Sequence, residues 1–170
     1  MKSPVAILTL AAAALAAVCV TSLRAQAGPR RVAVPISLLA IALNDLEFTG
    51  VLPGIPKSVN VHDPRYSALF EIQGQPSTSV RVELVLPGAL SASAGAMLPI
   101  VFGPGDGFAD YSRGQTPLGV TFNPYAPLIS TLSTSGQIYV RLGGTVLPGR
   151  PQNGGEYRAT IILTVYDLGT

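Results

Sequence analysis

Residues 80–86 read Val80-Arg81-Val82-Glu83-Leu84-Val85-Leu86. Side chains alternate along a strand, so Val80, Val82, Leu84 and Leu86 share one face while Arg81 and Glu83 share the other. That is the pattern of a half-buried strand, with one face on a core and one toward water. The stretch ends at Pro87-Gly88, a pair that favours a turn by fixing φ at one position and freeing it at the next.

The same arrangement recurs on either side. Residues 68–73, 137–142 and 157–166 read as clear strands, and residues 58–61, 98–102, 118–122 and 128–132 as weaker ones. Pro53-Gly54, Gly103-Pro104-Gly105, Pro148-Gly149 and Asn153-Gly154-Gly155 supply turns between them. No helical periodicity follows residue 27, and short strands at close spacing with turn signals predict an all-β fold. The expected architecture is an immunoglobulin-like or pilin-like β-sandwich of about seven to nine antiparallel strands. In residues 157–166, Ala159, Ile161, Leu163 and Val165 are expected inward, with Arg158, Thr160, Thr164 and Tyr166 opposite. Ile162 interrupts that polar face and predicts partial cover on both sides.

The N-terminus has the composition of an export signal. Lys2 precedes an apolar run over residues 5–20, and Ala25-Gln26-Ala27 forms a small-x-small cleavage site. The run is shorter than the ~20 residues a membrane-spanning helix needs. Residues 1–27 are therefore expected to be a cleaved signal helix, and residues 28–170 a single β-sandwich domain with no membrane span. Cys19 follows Val18 rather than a small residue, which argues against lipidation, and its loss with the signal leaves no cysteine. The expected location is the periplasm, the cell surface or beyond. Lys2 and Arg24 also leave with the signal, so 11 basic and 9 acidic residues become 9 and 9. A near-neutral chain with no basic cluster beyond Arg30-Arg31 is not expected to bind nucleic acid. Charged residues make up 12% of the sequence, about half the usual ~25%; so sparse a charge suits a protein that associates with others or with itself.

Residues 28–43 form a distinctive N-terminal strand segment. Val32, Val34, Ile36 and Leu38 alternate cleanly, then the apolar phase passes to Leu39, Ile41 and Leu43. A bulge or two separate strands would accommodate the slip. Pro35 cannot donate to a ladder, which places the first part at an edge or in an added strand. This segment is either the domain's own first strand or a donor strand for a neighbour, with Val32, Val34, Ile36 and Leu38 as the strand-addition interface.

Five stretches in order resemble a bacterial exported family known as domain-of-unknown-function family 4402, whose members look like small, pilin-like or adhesin-like β-sandwiches. They are Leu46-Glu47-Phe48-Thr49-Gly50 with Pro53-Gly54, then Phe70-Glu71-Ile72-Gln73-Gly74-Gln75-Pro76, residues 82–87, residues 140–146 with Gly143-Gly144, and Gly155-Glu156-Tyr157 leading into residues 161–166. Thr49 departs from the family pattern by separating Phe48 from Gly50. The resemblance implies fold and export; it brings no catalytic residue or ligand.

The residues offer little for chemistry. His62 is the one histidine, and His62-Asp63-Pro64 reads as a turn after a strand; without a mature cysteine the chain cannot assemble a zinc ligand set. Asp106 and Asp110 place two carboxylates in Gly105-Asp106-Gly107-Phe108-Ala109-Asp110, where calcium is the one cofactor with suitable oxygen ligands. Their spacing departs from Asp-x-Asp-x-Asp-Gly, so the stretch reads as a solvated loop. Tyr111, Tyr125 and Tyr139 are the aromatic candidates for stacking on sugars. The expected protein is not an enzyme and has protein partners or associates with itself as a structural or adhesive envelope subunit. The alternative is a monomeric module that binds a glycan or protein through loops at residues 88–96 and 103–114.

Overall fold

The computed structural model describes residues 37–112 and 118–169. The expected signal at 1–27 and the residues Val32, Val34 and Ile36 lie outside them. The described residues hold no helix and thirteen strands: β1 (Leu39–Asn44), β2 (Lys57–Val59), β3 (Ala68–Gln73), β4 (Ser79–Val85), β5 (Ala89–Ala92), β6 (Met97–Val101), β7 (Gly107–Asp110), β8 (Gly119–Phe122), β9 (Leu128–Thr131), β10 (Gln137–Leu142), β11 (Gly144–Val146), β12 (Tyr157–Arg158) and β13 (Ile162–Gly169). Every pairing is antiparallel. The first sheet has the order β1-β3-β10-β7-β8, the second β12-β5-β6-β11-β2, and the third β13-β4-β9.

The fold is an all-β sandwich in which one layer is the first sheet and the other is shared by the second and third. Alternation dictates this division. Ile72 on β3, Val140 and Ile138 on β10 and Ala109 on β7 pack against Val80 and Val82 on β4 and Leu128 on β9, joining the first sheet to the third. Further along the same strands, Ala68 and Leu142 pack against Leu98, Ile100 and Val146, joining the first sheet to the second. Phe70 touches both clusters. Ile72, Val80, Val140, Leu142 and Val146 have no exposed surface, and each side chain so buried contributes about 1.5–3 kcal/mol.

Two clear strands, 68–73 and 137–142, form with the bounds their alternation predicts, and they pair along their whole length. The strand count exceeds seven to nine because four-residue or shorter pieces carry little alternation. β5, β7 and β11 fall where the sequence gives Gly-rich connections. Residues 157–166 are two strands rather than one: Tyr157–Arg158 belongs to the second sheet and Ile162–Gly169 to the third. Ile161 packs on one cluster and Leu163 and Val165 on the other, as alternation predicts, but Ala159, expected inward, is exposed because it lies in the connection between the two strands. Ile162 is 53% exposed, so among the described residues nothing covers the outer face of β13 at this position.

The apolar slip after Leu38 takes a simple form. Leu38 packs inward on the core while Leu39 points outward and is exposed, and the register shift falls later, between Ala42 and Asn44.

Two glycines mark places where backbones approach too closely for a side chain. A Cβ on Gly143 would sit 2.6 Å from the Val59 carbonyl oxygen, at the corner between β10 and β11. Gly136 has φ +78°, and a Cβ there would meet the Gly74 carbonyl oxygen at 2.2 Å. Its carbonyl in turn accepts the Gly74 N–H at 2.9 Å, closing the β3–β10 ladder. Gly136→Ala is therefore expected to lower unfolding free energy by about 2–4 kcal/mol, combining left-handed strain with steric displacement. Gly154→Ala, where a Cβ meets nothing within 4 Å, is the matched control and is expected to change stability by less than about 0.5 kcal/mol. Urea titration of both variants checks the difference.

Candidate functional site

A groove with two lobes of about 470 and 760 Å³ opens in the described structure. Both share Leu46, Glu47, Phe48, Leu90, Glu156 and Tyr157 in their lining. One wall is the chain leaving β1, residues 44–48. Leu46 and Phe48 turn inward onto the second core cluster, while Asp45 and Glu47 are exposed. The opposite wall is β12 with its flanking residues, 156–161. The floor of the smaller lobe includes Ala68, Phe70 and Ile100, so the groove reaches the interior of the sandwich. β12 is the terminal strand of the second sheet, and the edge it does not share with β5 borders this opening.

The groove walls are held by polar contacts. The Asn44 side-chain amide donates to the carbonyl oxygens of Ser67 at 2.7 Å and Arg65 at 3.2 Å, and the Glu47 N–H donates to the Tyr66 carbonyl at 2.9 Å. On the far side the Gln152 amide donates to the Tyr157 hydroxyl at 2.7 Å, and that hydroxyl donates to the Asn153 carbonyl at 2.7 Å. Glu156 and Arg158 form an exposed ion pair at 2.5 Å. The arrangement can hold an extended chain: apolar surface below, an unpaired strand edge beside it, and carboxylates at the rim.

The candidate residues of the sequence lie elsewhere. Leu38 is half-buried against its own core. Asp106 and Asp110 do not share a loop, because Gly107–Asp110 is the interior strand β7 between β10 and β8. The reading of residues 105–110 as a solvated loop is thereby corrected, and with it the stretch 107–110 of the proposed binding loop at 103–114: Gly107 and Ala109 are small enough to sit under neighbouring strands, and all four residues of β7 are buried. Asp106 caps its own turn, accepting the Gly103 N–H at 2.6 Å, and Asp110 accepts the Ser112 N–H at 3.1 Å. Among the described residues no group of three or more His, Cys, Asp or Glu side chains is placed to hold a metal ion. Residues 88–96 are likewise not a free loop, since Ala89–Ala92 pairs with β6.

His62 is exposed, with its ring edge-on to Phe108 at 4.6 Å. The Asp63 carboxylate accepts the N–H groups of Arg65 and Tyr66, which is turn chemistry. Tyr111 and Tyr125 are exposed, whereas Tyr139 is buried. Tyr139 belongs to a polar row on the outer face of the first sheet that the sequence did not reveal. There Glu71 Oε1 accepts from Gln73 and Gln137 at 2.7 and 2.8 Å, with Tyr139 opposite it in register. Asp110 is 1% exposed and its Oδ2 has no hydrogen-bond partner among the described residues.

The sequence offered the walls of the groove only as two separate family-like stretches. Leu46-Glu47-Phe48 and Gly155-Glu156-Tyr157, more than 100 residues apart in the sequence, form its two facing walls. Compared with protein-family models, with curated proteins and with solved structures, the chain matches none.

Asn44→Ala is expected to cost about 1–3 kcal/mol, because it leaves the partly buried Ser67 carbonyl without its donor. Thermal or urea unfolding measures the loss. Amide exchange in residues 44–48 should accelerate more than in β10, since this wall loses its tether while the core ladder keeps its bonds.

Proposed function

We propose that the protein is an exported, non-enzymatic structural or adhesive subunit of the bacterial cell envelope that associates with other copies by strand addition. Membership of domain-of-unknown-function family 4402 is part of this proposal. One observation carries it: the sandwich has an opening between residues 44–48 and the free edge of β12, lined by the half-buried Phe70 and Leu90, where an extended partner could lie. Main-chain hydrogen bonds to a strand edge give affinity in such a mode, and alternate side chains entering pockets give selectivity. The N-terminal segment supplies the matching partner, with Val32, Val34 and Ile36 at alternate positions and Leu38 as the residue that anchors it to its own subunit.

Other surface features favour association. Val85, Ile129, Ile162 and Tyr166 are 62%, 69%, 53% and 46% exposed. Alternation places them on the outer face of the third sheet, around the Arg81–Glu83 ion pair. Apolar surface gathered on one sheet face marks an interaction surface more often than a solvated one. Among the described residues no helix is long and apolar enough to cross a membrane.

A second reading is a monomeric module for a glycan or protein. Phe48 and Tyr157 in the groove lining favour it, with Gln152 and Asn153 beside them, since sugar sites pair aromatic faces with amides.

The two readings separate on one experiment. The full chain is expressed in an export-competent bacterium, and the exported product is sized by sedimentation velocity over a wide concentration range. Concentration-dependent oligomers are expected, reduced to monomers of unchanged far-ultraviolet spectrum when residues 28–36 are deleted. A monomer at every concentration, stabilised thermally by added glycans, would favour the binding module instead.

A further inference from the structure

The groove combines the half-buried apolar side chains of Phe70 and Leu90 with an acidic rim. Asp45 and Glu47 are exposed on one wall, and among the described residues neither has an ion-pair partner. Glu156 stands on the other wall beside Arg158. Three carboxylates against one guanidinium leave two net negative charges. The ligand that complements this site is an extended segment with two positive charges at one end and apolar side chains at alternate positions. The sequence contains such a segment, Arg30-Arg31-Val32-Ala33-Val34, which is the chain's only paired cluster of basic residues.

We propose, resting on the strand-addition reading above, that the groove is the acceptor for residues 30–34 of a second copy. Val32 and Val34, two apart and so on one strand face, pack on Phe70 and Leu90, the half-buried residues that lie over the buried Ala68 and Ile100. Arg30 and Arg31 pair with the Asp45, Glu47 and Glu156 carboxylates at the rim. The backbone of the incoming segment runs along the free edge of β12 and the residues that follow it.

Chain length selects a second copy over the same chain. β1 runs toward the groove: Leu39 pairs with Gln73 at its far end, while Ala42 and Asn44 line the opening. Those five steps from Leu39 to Asn44 cover about 17 Å at ~3.4 Å per residue. A chain beginning at Gly28 that reversed before Leu38 and returned along β1 would use about two residues for the reversal and about five for the distance. About three would remain to fill a groove whose wall at 157–161 is about 14 Å long. A neighbour's segment meets no such limit. Charge then contributes direction, because only one orientation brings Arg30-Arg31 to the carboxylates, and it steers encounter between copies.

The test uses the exported product of the full chain, with association measured by sedimentation velocity and folding by thermal melting. R30E/R31E is expected to weaken association by roughly tenfold or more without changing the melting temperature, and D45K/E47K is expected to do the same. Combining all four substitutions in one chain should restore association, which a merely structural role for these residues would not produce. In the unsubstituted protein, association should weaken as salt rises. If V32D/V34D abolishes association while both charge-reversal pairs associate like the parent, strand addition stands and the acidic groove is not the acceptor. If none of the variants changes association, both readings fall. If the protein stays monomeric while a cross-link joins residue 31 to residue 47 within one chain, the occupant is the chain's own segment and the second-copy assignment is overturned.

Discussion

The structure depends on the pairing of β3 with β10. These strands run antiparallel in uninterrupted register from Gln73 opposite Gln137 to Ala68 opposite Leu142, and their inner faces supply both core clusters. Ile72, Ile138 and Val140 serve the third sheet, Ala68 and Leu142 serve the second, and Phe70 touches both. With charged groups scarce and no mature cysteine expected, apolar burial on this spine is the dominant stabilising term. The close contact of Gly136 with Gly74 at one end, and of Gly143 with the Val59–Val61 backbone at the other, sets where the ladder stops and where the chain turns into the opposite layer.

A single spine facing two sheets has a structural consequence. Where the second and third sheets abut, the opposite layer has a seam, and the chain crosses it after β4 at Leu86-Pro87-Gly88 and after β12 at residues 159–161. Those crossings carry no ladder, and Pro87 and residues 159–161 line the smaller lobe of the groove. The groove is thus the seam of a divided layer, which explains why it reaches core residues. Strand addition at such a place would complete a layer that one chain leaves incomplete.

Much of the fold was legible because its central strands are long enough to alternate. Val80-Arg81-Val82 carries an in-out-in pattern that only a half-buried strand satisfies, and β3 and β10 follow from the same reasoning. The short strands were not legible, because Gly107-Phe108-Ala109-Asp110 is buried on both faces and so shows no alternation. The division of residues 157–166 between two sheets was hidden for a different reason: both pieces point their odd-numbered apolar residues at the same interior, so periodicity continues across a break in hydrogen bonding. The walls of the groove were visible as separate stretches around Phe48 and Tyr157, but nothing local to either indicates that they face each other.

Hydrogen exchange across the whole backbone, compared between dispersed and associated protein, bears most directly on the idea that a second copy completes this layer. Amides of residues 157–161 should exchange freely in the dispersed protein and become protected on association, while β10 stays protected in both states. Protection confined to another edge, such as β8, with residues 157–161 unchanged, would contradict it.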